Sequence, residues 1–386
     1  VEAGCRGDDV GMTAFTFSLP GRVIFGRGSA AATAGLIRPF GPRGLVVHGR
    51  TPDRAAPLLA EIADDVLAIS CPTEPTLPLL EGALALARNA APDWIVAIGG
   101  GSVIDMGKAL AALIPASGSP MDHLEVVGRG LPLTMPPLPV VALPTTAGTG
   151  AEATRNAVIC LPEHGRKVSL RDDRMLPRIA IVDPALTDHC PRGVTLASGM
   201  DALTQVIEPF VSCKATPFTD SLTEPQIGRG LWALRRLMLA EDPLARDAMA
   251  YVSLTGGIAL ANAGLGAVHG LAGVIGGLYP AAHGAICGTL LGPVLAMNAR
   301  RSSGEAGQRI AQVCRVIADE LGSTEAEAPF ALSRWAHGAG LPDLAGQGVP
   351  ASAHDRIAEA SLESSSMRGN PVALSMADLR DILSQG

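Results

Sequence analysis

No apolar stretch in this chain reaches the ~20 residues that a membrane-crossing helix needs; each is cut short by glycine, proline or a charged side chain. The N-terminus also lacks a basic flank leading into an apolar run, so neither a membrane span nor a leader is expected, and the reading places the protein in the cytoplasm. Basic charge is in short supply: 30 Lys and Arg stand against 37 Asp and Glu, for a net charge of -7. Such a chain offers no positive field to a phosphate-rich polymer, which removes nucleic acid from the expected partners. Cysteine is present but never as a CxxC pair. Cys5, Cys71, Cys160, Cys190, Cys213, Cys287 and Cys314 are scattered and odd in number, which argues for reduced, mostly buried thiols rather than a disulfide framework. Internal repeats and low-complexity tracts are absent too. What remains is a close-packed globular protein, 47% hydrophobic and 17% charged, whose expected partner is a small molecule.

At 386 residues the chain is long for one core, and two domains are expected. From Val23 to about Asp183, short β-rich runs alternate with helical stretches: GLVVH at 44–48, WIVAIGG at 94–100, PVVALP at 139–144 and IAIVD at 179–183. That alternation predicts a largely parallel sheet covered by helices. Beyond CPRG at 190–193 the pattern becomes helical, over 195–212, 219–239, 244–263, 305–321 and 353–363, with no strand between. The division is therefore an α/β N-terminal nucleotide-binding domain over 12–190 and an all-α C-terminal domain over 191–386. Pro191 and Gly193 act as breakers and Thr195 as the next cap. Residues 1–11, ahead of Met12, read as an N-terminal extension without function.

Two loops carry the chemistry of the first half. WIVAIGGGSVIDMGK, Trp94 to Lys108, runs from a buried strand through Gly99, Gly100 and Gly101 to Ser102 and a helix. Glycines there let the backbone approach a pyrophosphate, and the amides of the new helix face its charge. The spacing differs from GxGxxG, so an ordinary Rossmann site does not follow, and an ordinary loop remains open. PTTAGTGAEATR, 144–155, follows the next strand and gathers Thr145, Thr146 and Thr149 around glycines. Its hydroxyls and amides suit a diphosphate or ribose, or simply a helix-capping turn.

Both loops, in this order, resemble those of the iron-containing (group III) alcohol dehydrogenases. The likeness runs from FGRGS at 25–29 to NP at 370–371, through IVDPALT at 181–187, GMDALTQVIE at 199–208 and VHGLAGVIGGLYPAAHG at 268–284. It implies a dehydroquinate synthase-like fold with NAD(H) or NADP(H) between the halves, and a family habit of forming dimers or larger homo-oligomers. By the same resemblance Gly100, Gly101 and Ser102 bind the diphosphate, Thr145, Thr146 and Thr149 contact the cofactor, and Lys167 lies near the nicotinamide ribose. Asp105 reads as structural. At the end of the first strand, where relatives carry an aspartate that repels a 2'-phosphate, this chain has Gly49 followed by Arg50, which implies tolerance of NADPH.

The resemblance also implies a metal site of one Asp and three His, and the matching positions are Asp201, Gln205, His269 and His283. Asp201 and Gln205, four apart on a helix, project from one face. Gln205 ligates only through its amide oxygen and weakens the site; iron and zinc both suit the imidazoles. Gly273 replaces a histidine that relatives use to relay a proton, so water, a ribose hydroxyl or another side chain must serve. The expectation is Lewis-acid assisted hydride transfer between nicotinamide and a small alcohol, aldehyde or ketone, with His269 and His283 at the catalytic centre. A metal-free enzyme similar to the maleylacetate reductases is the nearest rival. A dehydroquinate synthase-like lyase is disfavoured, because 199–208 and 262–284 contain no Lys or Arg for a substrate phosphate; a non-catalytic binding protein is the remaining alternative. The same lack of charge favours a neutral or lightly polar substrate.

Overall fold

A computed structural model describes residues 14–62 and 66–386; the expected extension at 1–11, with Cys5, and Met12 lie outside them. The first half is built on eight strands, β1 (Val23–Phe25), β2 (Gly44–His48), β3 (Val66–Ser70), β4 (Trp94–Gly99), β5 (Val140–Pro144), β6 (Asn156–Leu161), β7 (Arg166–Arg171) and β8 (Ile179–Val182). Between them lie α1 (Thr33–Ile37), α2 (Ala56–Glu61), α3 (Leu77–Ala90), α4 (Gly101–Leu113) and α5 (Pro120–His123). Six strands form one parallel sheet in the order β1-β8-β5-β4-β2-β3, while β6 and β7 pair as a separate antiparallel hairpin.

The sheet's strands read as unbroken apolar runs because both faces are covered. Leu45, Val47, Ile95 and Ala97 pack into the core on one side, and Val46, Trp94, Val96 and Ile98 into that on the other. The chain leaves β2 for β3 on one side and returns to β4 on the other, so β2 and β4 flank a switch point. Crevices that bind ligands form at such points, beyond the carboxyl ends of the strands. The glycine loop follows β4 there.

The second half holds the helices α6 (Arg192–Val211), α7 (Pro217–Leu239), α8 (Pro243–Ala263), α9 (Ala267–Leu278), α10 (His283–Arg301), α11 (Gly304–Leu321), α12 (Ala328–Gly338), α13 (His354–Leu362) and α14 (Met376–Gln385). They close around a core of their own that includes Met200, Val206, Leu271, Ile286 and Leu290. Every strand among the described residues precedes Asp183. The expected cap is different: α6 begins at Arg192, and Thr195 lies inside it, its hydroxyl donating to the Cys190 carbonyl. Glycine at 193 does not break the helix because Pro191 at the N-cap has already set its start.

No single helix among the described residues is long and apolar enough to cross a membrane; α8 and α9 meet that test only as a pair bent by 98°. No disulfide forms among the described cysteines. Cys71, Cys287 and Cys314 are buried, Cys160 and Cys190 half-buried and Cys213 exposed.

Candidate active site

The two loops of the first half touch. A Cβ placed on Gly100 would stand 3.4 Å from Thr146 Oγ1, and one on Gly101 only 2.5 Å from Thr149 Oγ1, so position 101 admits no side chain while the threonine keeps its place. Thr145 donates its amide to the Gly99 carbonyl at 2.9 Å. Gly150 takes φ +56, a left-handed conformation natural to glycine, and sits against the backbone of Ser253 and Gly257 in α8. The threonine loop thereby joins the sheet to the helices.

Beneath both loops lies Lys108, whose side chain is fully buried. Its Nζ donates to the Ala151 carbonyl and the Thr154 hydroxyl, both at 2.9 Å, and pairs with Asp105 Oδ1 at 3.1 Å. Asp105 also accepts from the Val158 amide, which supports its structural reading. Burial pushes the Glu152 carboxyl up to about 7 despite the nearby Lys108 ammonium. The lysine ties the middle of α4 to the turn after β5. A buried charge of this kind persists only when its donors are satisfied, as these are.

A cleft of about 630 Å³ opens between the loops and the helices. Gly101, Ser102, Thr149 and Lys167 line one wall, and Gln205, His269, Gly273 and His283 the other. Lys167, on β7, pairs with Glu74 Oε2 at 2.5 Å. Gly99, Gly100, Thr145 and Thr146 are not among the lining residues; Gly99 is buried and the other three are half-buried. Gly49 follows β2, whose last residue His48 pairs with Ile98 of β4, so it stands beside the start of the glycine loop; nothing lies within 4 Å of a Cβ placed on it, and Arg50 is exposed. Arg155, Arg171, Lys214 and Arg368 also reach the cleft from loops, strand ends and turns. The expected lack of Lys and Arg therefore holds for 199–208 and 262–284 and not for the cleft as a whole.

At the helical wall, α6 presents Asp201, Gln205 and Glu208, α9 presents His269, and α10 opens with His283 and carries Cys287 one turn later. Ligand-type atoms of Asp201, His269, His283 and Cys287 all lie within 4.8 Å of one another. Asp201 Oδ1 stands 3.3 Å from His269 Nε2 and 3.9 Å from His283 Nε2. Glu208 Oε2 is 2.7 Å from His269 Nδ1, and its Oε1 accepts the Val268 amide at 2.7 Å. Asp201 Oδ1, Gln205 Oε1 and His269 Nε2 are buried without a hydrogen-bond partner. Buried polar atoms left unsatisfied are costly, and three converging on one point fit a cation there.

The electrostatics agree. Burial raises the Asp201 carboxyl, but contact with His269 and His283 more than offsets this and holds it below the usual carboxylate range. Burial would lower both imidazoles; Cys287 and Asp201 outweigh it, with Glu208 adding to the effect on His269, which lies well above its ordinary value. Burial would raise the Cys287 thiol, and the two histidines draw it below normal. Three acidic side chains around two imidazoles make a pocket suited to a divalent cation.

The sequence motifs did not disclose Glu208, Cys287 or the role of Lys108. Signals existed in the spacing: Asp201, Gln205 and Glu208 recur on one helical face, and Cys287 follows His283 by four.

Comparison with known proteins gives a consistent answer over both halves. The family model described as iron-containing alcohol dehydrogenase matches residues 20–184, and that of the Fe-containing alcohol dehydrogenase family, C-terminal, matches 195–386. Lactaldehyde reductase of Escherichia coli is 32% identical over 375 residues, covering 93% of this chain and 96% of its own length. Long-chain-alcohol dehydrogenase 1 of Geobacillus thermodenitrificans is 34% identical over 347 residues, 88% of this chain and 85% of that protein. A crystal structure of 1,3-propanediol oxidoreductase superposes with a TM-score of 0.86 at 28% identity, over 97% of this chain and 100% of the other. The fold is thus the dehydroquinate synthase-like one, and the chain belongs to the iron-containing alcohol dehydrogenase family, nicotinamide-linked oxidoreductases that act on CH–OH donors with a divalent metal.

Proposed function

We propose that Asp201, His269 and His283, with Gln205 beside them, hold one divalent cation, iron or zinc, at the floor of the cleft. There the enzyme moves a hydride between NAD(H) or NADP(H) and a small alcohol or its aldehyde or ketone. The observation that carries this reading is the convergence of three buried, unpartnered polar atoms, Asp201 Oδ1, Gln205 Oε1 and His269 Nε2, at the helical wall of a cleft whose other wall is the glycine loop. When bound, the cation supplies a Lewis acid for the substrate oxygen, and the nicotinamide supplies or accepts the hydride.

The chain's own groups do the positioning. Glu208 accepts the Nδ1 proton of His269 and so leaves Nε2 as the donor toward the cation. Gly100, Gly101 and Ser102 offer the amides of the α4 N-terminus to the cofactor diphosphate. Gly99 and Thr145 tie that loop to its neighbour, Thr146 and Thr149 brace it, and Lys167 stands on the nicotinamide-ribose side. Gly49 receives the adenosine end. With glycine at 273, the alcohol proton leaves through water or a ribose hydroxyl. The same reading divides the chain near residue 190 into nucleotide and metal domains and places it in the cytoplasm as a homodimer or larger assembly, which light scattering on the eluted protein measures.

The test is metal analysis of protein purified without chelator or a histidine tag, alongside the His269→Ala variant. About one zinc or iron per chain is expected for a single catalytic site, with turnover lost on chelation. Removing one imidazole should lower kcat by about 100- to 1,000-fold, the scale of losing one preorganised electrostatic group. No bound metal and unchanged turnover in chelator would overturn the reading in favour of a metal-free reductase.

A further inference from the structure

We propose that the thiolate of Cys287, rather than the amide of Gln205, completes the protein ligand set, giving an Asp201, His269, His283 and Cys287 site that takes zinc in preference to iron(II). The inference rests on the metal-dependent reading above and specifies its ligands and ion.

Geometry supports the thiol. Cys287 follows His283 by one turn of α10, so both side chains leave the same face. It is fully buried. Cys71 and Cys213 donate their thiols to the Thr73 and Arg368 carbonyls at 3.2 and 3.4 Å, whereas Cys287 Sγ faces a ring nitrogen, His283 Nε2, at 3.7 Å. A tetrahedral zinc with ordinary bond lengths separates its nitrogen and oxygen ligands by about 3.4 Å and its nitrogen and sulfur ligands by about 3.6 Å. The cluster shows 3.3 and 3.9 Å for the two His to Asp201 pairs and 3.7 Å for sulfur to nitrogen. Three of the six separations thus come near those of a tetrahedral ion, and all four donors lie within 4.8 Å of one another.

Charge points the same way. One carboxylate, two neutral imidazoles and one thiolate cancel a divalent ion, the thiol proton passing to solvent as the cation binds. With the Gln205 amide in its place, the second negative charge would have to come from outside the ligand set, from Glu208 behind His269. A thiolate is also the softer donor, which favours zinc over iron(II). Gln205 lines the cleft and Cys287 does not, so the thiol closes the floor while the amide stays on the substrate side.

Cobalt(II) reports such a set directly. The full chain, stripped with chelator and reloaded with cobalt(II), is expected to show visible d–d bands and a near-ultraviolet thiolate-to-cobalt charge-transfer band. In Cys287→Ser that band should vanish while the visible bands remain, and zinc should be lost to a competing chelator at least tenfold more readily, about the smallest cost of removing even an outer partner of a metal ligand. The wild-type spectrum decides the question even if the variant does not fold. Visible bands without charge transfer, or a charge-transfer band that survives in Cys287→Ser, would overturn the proposal and leave the metal-dependent reading standing. Failure to bind cobalt at all would overturn both.

Discussion

The two walls of the cleft are made of different material. On the nucleotide side the glycine loop offers backbone, Gly101 and the start of α4 beside the turn after β5, with the buried Lys108 behind them. On the helical side it is side chains, Gln205 from α6 with Asp201 one turn before it, His269 from α9 and His283 from α10. The backbone wall has glycine at 101, where a Cβ would stand 2.5 Å from Thr149 Oγ1. The side-chain wall has glutamine at 205 and glycine at 273, where the resemblance implies histidines, and carries a thiol at 287. A backbone cradle depends on a conformation that few residues can adopt. A ligand set depends on donor atoms, which can be supplied again from the next turn of a helix.

That contrast can be broken first at Lys108. Lys108→Met leaves the half-buried Asp105 and the buried Glu152 without their cation and frees the Ala151 carbonyl and the Thr154 hydroxyl. Breaking a buried pair from one side costs about 3–5 kcal/mol, to be read from chemical denaturation. KM for the nicotinamide should rise while bound metal per chain stays unchanged. A variant that loses metal as readily as cofactor affinity would mean that the two walls are not independent.

Glu208 tests the other wall. Glu208→Gln keeps the size of the side chain but replaces the carboxylate that accepts from His269 Nδ1. Metal affinity should fall by about 10- to 100-fold, as for other outer partners of a ligating histidine, with little change in KM for the cofactor. Competition with a chelator measures the first and steady-state kinetics the second. Equal loss of both, or loss of fold stability alone, would assign Glu208 to packing instead of positioning.

The legibility of the sequence follows the same division. β2, β4, β5 and β8 were readable because both faces are buried and their residues are uniformly apolar. β3 and the β6–β7 hairpin were not, since their burial alternates or is partial and a helix pattern is as good a description. Helices α9 and α10 carry so many glycine and apolar residues that no polar stripe marks them. The glycine and threonine loops, Asp201 and both histidines were visible as motif letters. Cys287 was visible only as one of seven scattered cysteines, and Lys108 as one more residue of its motif. Their roles come from burial and from neighbours distant in the chain, such as Thr154 for Lys108 and Asp201 for Cys287, which periodicity does not report.

The smallest effect expected is at the proposed adenosine end, where the resemblance implies an aspartate and this chain has Gly49. The space beside Gly49 is open and its φ lies outside the left-handed region, so Gly49→Asp should fold without strain. A carboxylate there would repel a 2'-phosphate next to the exposed Arg50. At an exposed site this is worth about 0.2–1 kcal/mol, a shift of up to about fivefold in the ratio of kcat/KM for NADH over NADPH. The wild-type enzyme should use both cofactors. A strong wild-type preference for NADH would remove Gly49 and Arg50 from the selectivity argument. An unchanged ratio in Gly49→Asp would instead place the 2' position out of reach of the β2 end.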